Sequence, residues 1–475
     1  MAYAAYLNSG EFSYENHMPT LEQYLADNAG RFESELSELL RIPSISAIGE
    51  HRNDIERAAD WVLRQFQSLG FRAEKIATPG NPLVFAESPA IAGAPTVLVY
   101  GHYDVQPIDP LNEWTTPPFE PTRRGDNLYA RGATDDKGQM FTHIKSAEAW
   151  LKTEDRLPVN LKYLIEGEEE VSSGNLFPFI EKEHEKLACD VAVISDSSQF
   201  AAGRPAITYG LRGIAYYELR ITGPKQDLHS GTFGGAVTNP AGALCRLISS
   251  LVDKQGKIQV PGFYDDVVPL SDQERKQFAS LDFDETAFMR QIGVEGLSGE
   301  EGFSTLERRW ARPTCDVNGL TSGYQGEGAK TVLPARASAK FSFRLVPNQQ
   351  PKKISKSLEQ FLRNQLPPGI TMELIDFHGA PGVVVPLDSP YMAAAIRAID
   401  RSFGKKPVFM REGGSIPIVT TFRQELGVDT LLLGWGLDDD NAHSPNEKFN
   451  LADFHRGIKA SAYLWAELAK TQPSK

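Results

Sequence analysis

Short apolar runs at 96–100, 161–165, 191–194 and 430–433 alternate along the chain with stretches of helical periodicity. Runs of this length, separated by helices, fit strands buried on both faces of a mostly parallel sheet. The covering helices are read at 54–69, after Asp135, near 392–399 and from Ala452. Ile55, Ala58, Val62, Phe66 and Leu69 share one helical face and Gly70 stops it; Phe141, Ile144, Ala147 and Leu151 share another. An earlier helix begins at Thr20 and Gln23, which have capping-box spacing, and runs with a break near Gly30 to the Ile42-Pro43 stop. Before it lies a polar arm of about eighteen residues with no readable role.

Near residue 212 the period changes to two. Tyr217, Leu219 and Ile221 alternate with Glu218 and Arg220, and the same alternation recurs at 337–345 and at Ile370, Met372 and Leu374. Asn239 and Pro240 form a cap and first-turn pair for a helix carrying Leu244, Leu247, Ile248 and Leu251. A charged, turn-rich stretch follows to about residue 312. This middle region reads as an α+β sandwich, one antiparallel sheet with helices on one side, inserted into an α/β unit. The expected division is 1–212 and 384–475 for the α/β catalytic domain and 213–383 for the inserted domain.

With 475 residues, 41% of them hydrophobic, the chain can bury more than one large core. Its formal charge of −13 argues against nucleic acid and anionic membranes as partners. Cys189, Cys245 and Cys315 are far apart, odd in number and in no metal-ligand spacing, so they suggest buried thiols in a reducing compartment, the cytoplasm. No 18-residue apolar segment and no signal-like start is present, so a soluble, unexported chain is expected.

The candidate chemistry follows the apolar runs. His102 and Asp104 come after the first, Glu166 to Glu170 after the second, Asp196 after the third, and Asp438 to His443 after the last. In open α/β sheets ligands bind outside the carboxyl ends of the strands, where such clusters converge. Asp135 and Asp136, at a helix entrance, read alone as caps; the acidic run 168–170 reads alone as a solvated helix start. Taken together, His102, Asp135, Glu170, Asp196 and His443 form a nitrogen and oxygen donor set suited to two divalent ions, zinc or manganese. If Asp135 bridges, each ion also receives one His and one further carboxylate. Asp104, two residues past His102, would orient its imidazole.

Gly101–Pro107, Arg131–Gly138, Glu166–Glu170 and Asn441–Glu447 resemble segments of the co-catalytic metallopeptidase family of aminoacylase, carboxypeptidase G and the carnosine dipeptidases. The resemblance is nearest to the cytosolic nonspecific dipeptidase branch, through residues 208–213, 227–231, 330–332, 343–347 and 411–417. It implies that His102, Asp135 and Asp196 hold one metal, that His443, Asp135 and Glu170 hold the other, and that Asp135 bridges. It also implies that Glu169 is the general base acting on a bridging hydroxide. Further, it implies that the inserted unit is a lid and dimerisation domain, and that His229 with Thr331 reaches the partner's active site in a homodimer. Arg344, His378 and Ser415 would hold the substrate's terminal carboxylate and nearby polar atoms.

Two positions depart from the pattern. Ser172 and Asn441 stand where relatives tend to have glycine, and Asn tolerates left-handed backbone. Three successive Glu residues leave the base and ligand register open by one; the preceding Glu166-Gly167 favours Glu169 and Glu170. The expected activity is metal-dependent hydrolysis of dipeptides. The rivals are hydrolysis of N-acyl or N-carbamoyl amino acids on the same metals, and a catalytically silent binding protein, which would be expected to lack a ligand or the base.

Overall fold

The computed structural model describes residues 19–471; the N-terminal arm lies outside them. A nine-stranded sheet runs Arg72–Ile76, Leu83–Glu87, Asn160–Glu166, Thr96–His102, Val191–Ile194, Thr430–Leu432, Ala206–Leu211 and Val383–Val384, with Val408–Glu412 also paired to Ala206–Leu211. The four central strands, from Asn160–Glu166 to Thr430–Leu432, are parallel, and antiparallel pairs flank them on both sides. The runs are continuous because both faces are covered. Val97 and Val99 enter a core with helices Arg52–Ser68, Lys137–Thr153, Pro390–Phe403 and Leu451–Leu468, while Leu98 and Tyr100 enter a second core with Leu176, Ile180 and Phe422.

Thr20 does form the capping box, with Gln23. The break comes at Asn28, two residues before Gly30: Leu21–Asp27 ends and Ala29–Leu40 begins there, and the Asn28 amide side chain bonds back to the Tyr24 carbonyl. The Asn side chain competes with the helix ladder, whereas Gly30 is accommodated inside it. Lys137–Thr153 is buried almost all round, so its amphipathic pattern understates its burial.

The second sheet has the order Thr314–Ser322, Arg336–Leu345, Gly213–Thr222, Thr371–Ala380, all antiparallel. Tyr217, Leu219, Ile221, Phe341, Phe343 and Leu345 pack with Leu244, Leu247 and Leu358 from helices Pro240–Ser249 and Pro351–Arg363. Asn239 caps the first of these helices through the Ala241 amide.

The stretch expected to be turn-rich contains three helices, Asp272–Ala279, Glu285–Ile292 and Thr305–Trp310. Two start in full capping boxes, Ser271 with Glu274 and Ser304 with Glu307. Phe278, Leu281, Leu306 and Trp310 pack against Ala206, Tyr209 and Met410. The first and third of these helices therefore cover the end of the nine-stranded sheet. All three are short, six to eight residues each, and sit in a charged stretch, so each shows too few apolar positions to set a period.

Candidate metal centre

His102 is the last residue of its strand and Glu166, opposite it in register, the last of the neighbouring one. Asp196 follows Val191–Ile194 by two residues. The clusters thus meet at the carboxyl ends of parallel strands, where successive strand ends turn into loops on one side of the sheet.

Asp135 enters from the turn before Lys137–Thr153, and the Asp135-Asp136 peptide is cis. Asp136 occupies the N-cap position but makes no capping bond; its Oδ2 accepts from the His102 backbone amide at 3.2 Å. The next residues explain the rest of the Asp-Asp-Lys-Gly motif. Lys137 is buried and its Nζ donates to the Ile42 carbonyl at 2.7 Å and the Leu39 carbonyl at 3.3 Å, closing the end of Ala29–Leu40. A Cβ at Gly138 would stand 2.0 Å from the Ala133 carbonyl oxygen, so only glycine lets the helix approach the turn.

Two three-residue groups share Asp135: His102, Asp135 and Asp196, and Asp135, Glu170 and His443, with the ligand atoms of each group within 4.8 Å of one another. His102 Nε2 lies 3.2 Å from Asp135 Oδ1 and 3.9 Å from Asp196 Oδ2. It is buried and makes no hydrogen bond, the disposition of a lone pair that needs a cation between itself and the carboxylates. On the other side His443 Nε2 lies 2.9 Å from Asp135 Oδ2 and 3.3 Å from Glu170 Oε2.

The electrostatics agree with this donor set. Hydrogen bonds that His443 donates to Asp135 and Glu170 raise its pKa to about 11. Burial would lower that of His102, yet Asp104 and Asp135 carry it well above its ordinary value. Burial and the neighbouring Asp135 carboxylate lift Asp196 to about 7. Glu169 is pushed well above the carboxylate range by burial and by Asp196, Glu170 and Asp135, with His102 opposing. A pocket this rich in carboxylate attracts positive charge, and divalent ions on neutral imidazoles satisfy it as protons on the imidazoles otherwise do.

Asp104 is buried and its Oδ1 is 3.4 Å from His102 Nδ1, which also meets the Asp104 backbone carbonyl at 3.1 Å. The same carboxylate accepts from the Glu169 amide at 3.3 Å and the Glu170 amide at 3.2 Å. It therefore fastens the Glu169–Val171 turn as well as the imidazole. Glu170 accepts from Gln106 Nε2 at 2.8 Å. Glu168, the third of the run, turns away and binds Asn81 and Asn175. Ser172 and Asn441 both have left-handed backbone, φ 81° and 56°, the conformation in which glycine is easiest.

Glu169, Asp135, Asp196, Ser415 and His443 line one cleft of about 280 Å³. Arg344 donates to Ser415 Oγ at 3.0 Å from an adjoining cavity of about 330 Å³, which shares Glu412 and Gly414 with the cleft. His229 and Thr331 are neighbours at the small antiparallel pair of Leu228–His229 with Val332–Leu333; both are exposed, and neither lines the cleft of its own chain. His378 lies in Thr371–Ala380, opposite Tyr216, and its side chain is outside the described residues.

Three residues at the centre had no role in the sequence reading. Glu412 lines the cleft, its pKa lifted to about 8 by burial and by Asp196 and Asp438. Gln139 Oε1 accepts from Trp435 N at 2.7 Å, tying the helix to the loop after Thr430–Leu432. Glu447 joins the His443 loop to the Asp135 turn. All three stand in or beside the motif segments, a proximity that marks them for attention and leaves their contacts unspecified.

Comparisons with known proteins agree with this architecture. Residues 98–467 match peptidase family M20/M25/M40. The Cys-Gly metallodipeptidase dug1 of Schizosaccharomyces pombe is 35% identical over 93% of this chain and 96% of its own length. The Beta-Ala-His dipeptidase of Homo sapiens is 33% identical over 98% of this chain and 96% of its own. Among solved structures, the di-peptidase Dug1p of Saccharomyces cerevisiae superposes with a TM-score of 0.85 at 32% identity, over 95% of this chain and 98% of that one. The M20 family metallo-carboxypeptidase Sso-CP2 of Sulfolobus solfataricus gives 0.86 at 35% identity, over 93% and 99%. A metallopeptidase fold, a shared-carboxylate donor set and matches over nearly the whole length lead to one assignment: the chain belongs to peptidase family M20/M25/M40.

Proposed function

We propose that this chain is a metal-dependent dipeptidase. The observation that carries the reading is the pair of three-residue ligand groups sharing Asp135, with Glu169 in the same cleft. The names of the relatives, a Cys-Gly metallodipeptidase and a Beta-Ala-His dipeptidase, support a dipeptide as substrate.

His102, Asp135 and Asp196 would hold one divalent ion and Asp135, Glu170 and His443 the other, each zinc or manganese. When bound, the ions supply Lewis-acid polarisation of the peptide carbonyl and acidify the attacking water. Glu169 takes the proton from that water on its carboxylate and returns it to the leaving amine. Asp104 keeps the His102 ring in place, and its grip on the amides of Glu169 and Glu170 sets the base beside the ligand. Arg344, His378 and Ser415 hold the substrate's terminal carboxylate and nearby polar atoms.

The unit 213–383 serves as lid and dimerisation domain. In a homodimer His229, with Thr331, completes the partner's site. A cytoplasmic location fits the three cysteines, which are free; contrary to the expectation of buried thiols, Cys245 is exposed and Cys189 and Cys315 are only partly covered. No helix among the described residues is long and apolar enough to cross a membrane, and the charge of −13 speaks against nucleic acid as a partner.

The test is hydrolysis of a dipeptide panel beside N-acetyl and N-carbamoyl amino acids, by protein loaded with zinc or manganese and by chelated protein. Dipeptide cleavage that disappears on chelation is expected. Preferential cleavage of the acylated or carbamoylated compounds would replace this function by an amidohydrolase.

A further inference from the structure

The segment that carries His443 has little regular structure. Asn441, His443 and Asn446 have left-handed backbone, φ 56°, 63° and 61°, and the His443 side chain is 56% exposed. Non-glycine residues hold that conformation only where surrounding contacts fix it. The contacts converge on Glu447. Its carboxylate is fully buried, and both oxygens bind the opposite turn. Oε2 accepts from Arg131 Nη1 at 2.8 Å and Gly132 N at 2.9 Å; Oε1 accepts from Thr134 N at 3.0 Å and Asp135 N at 3.2 Å. Arg131 is held in turn by the Pro107 carbonyl at 2.9 Å. One side chain therefore ties the backbone of the shared ligand Asp135 to the loop that bears His443.

The two ligand groups differ in what orders them. His102 ends a central strand and Asp196 follows another, so their places come from the sheet. Asp135 is also held from its helix, through Lys137 and the Leu39 and Ile42 carbonyls. His443 itself lies in neither strand nor helix, and its chain joins a sheet only after Glu447, where Lys448–Asn450 pairs with Asn127–Tyr129. Besides Glu447, whose backbone carbonyl also accepts from Ala130 N at 3.1 Å, the loop is held by Asn446, which accepts from Thr115 N and donates to the Glu113 carbonyl, and by Asp440, which accepts from Thr134 Oγ1 at 3.1 Å and from Lys448 Nζ at 2.7 Å.

We propose that Glu447 is the positioning residue of the Asp135, Glu170 and His443 group and sets the affinity of that metal site, while the His102, Asp135 and Asp196 site takes its order from the sheet. The inference rests on the metal ligation proposed above. A residue that orients a metal ligand typically accounts for about 10- to 100-fold in affinity. In Glu447→Gln two of the four donors lose their acceptor to an amide NH₂, and Arg131 loses its charge partner. The loop is then held at fewer points, and the imidazole no longer arrives pre-placed.

The experiment is calorimetric titration of the chelated full-length protein with Zn²⁺ and with Mn²⁺, for the wild type, Glu447→Gln and Glu447→Asp. The wild type is expected to take two ions. Glu447→Gln is expected to weaken one of them by about 10- to 100-fold, with the other unchanged, and dipeptide turnover should recover as metal is raised. Should Glu447→Gln fail to fold, Glu447→Asp, which keeps the charge on a shorter stem, is judged by the same criterion. Both ions weakened alike, neither weakened, or a turnover loss that excess metal leaves in place overturns the role of Glu447. A wild type that binds no divalent ion overturns the metal reading itself. One that binds two ions without cleaving dipeptides removes the proposed activity, and the titration still decides on Glu447.

Discussion

Replacing Asp104 by asparagine removes a buried charge and converts one oxygen into an NH₂ group where the His102 ring and the amides of Glu169 and Glu170 converge. The side chain keeps its volume, so packing is undisturbed. One of the two amide bonds loses its acceptor, and a hydrogen bond to a charged group contributes about 1.5–3 kcal/mol. The stranded N–H, now facing another donor in a buried site, costs a further 1–3 kcal/mol or so. Together the folded protein should lose roughly 2.5–6 kcal/mol locally. Part of this falls on global stability and part on the ligands that Asp104 holds, with metal affinity down about 10- to 100-fold. Chelator competition and denaturant unfolding, each with and without metal, separate the two parts. The metal-loaded variant should gain less stability from its ions than the wild type does, because linkage passes the weaker affinity into the folding equilibrium. A variant with wild-type metal affinity and turnover would refute the reasoning, since it would mean that the imidazole and the 169–170 turn stay in place without the charge.

Glu169→Gln should keep both ions and lower turnover by two to four orders of magnitude, roughly what a general base contributes, whereas Glu170→Gln should weaken one ion; the opposite pattern in a metal assay shifts the register by one. His143 is buried, its Nε2 is 2.9 Å from Ser195 Oγ, and burial pushes its pKa down to about 3. An unfolded histidine takes up its proton near pH 6.5, so this contribution to stability is complete above that pH. It is lost as pH falls from there toward 3, at about 1.4 kcal/mol per unit. His143→Gln should flatten this part of an acid-unfolding curve, and an unchanged slope would assign it to other groups. His229→Ala should lower turnover with metal content intact. Mixing it with Glu169→Gln subunits, under conditions that exchange subunits, should restore activity; verified mixed dimers as inactive as their parents would exclude action across the interface.

Periodicity alone located the central strands, because both of their faces are buried and their residues are therefore uniformly apolar. The alternation in 213–222 and 336–345 was legible for the opposite reason, one covered face and one open face. The residues proposed as ligands stood out in the sequence too. Chemistry at strand ends needs particular residue types at particular offsets from an apolar run, and the motif resemblance supplied roles for them.

Other features depend on distance in space. Arg72–Ile76 and Val408–Glu412 are half-buried edge or side strands whose mixed composition gives no clean period. The helices within 272–310 were signalled by two capping boxes, yet only packing on Tyr209 and Met410 shows which core they belong to. Asp136 and Glu168 look in the sequence like a cap and, one register earlier, a candidate base; the fold gives the first to the His102 amide and the second to Asn81 and Asn175. Glu447 is the clearest case. Nothing in its neighbours announces that it will accept four hydrogen bonds from residues 131–135, more than three hundred positions earlier. The sequence determined which residue types stand at the strand ends. Which of those side chains meet was decided by the closing of distant loops, because a buried carboxylate is stable only where folding delivers donors to it.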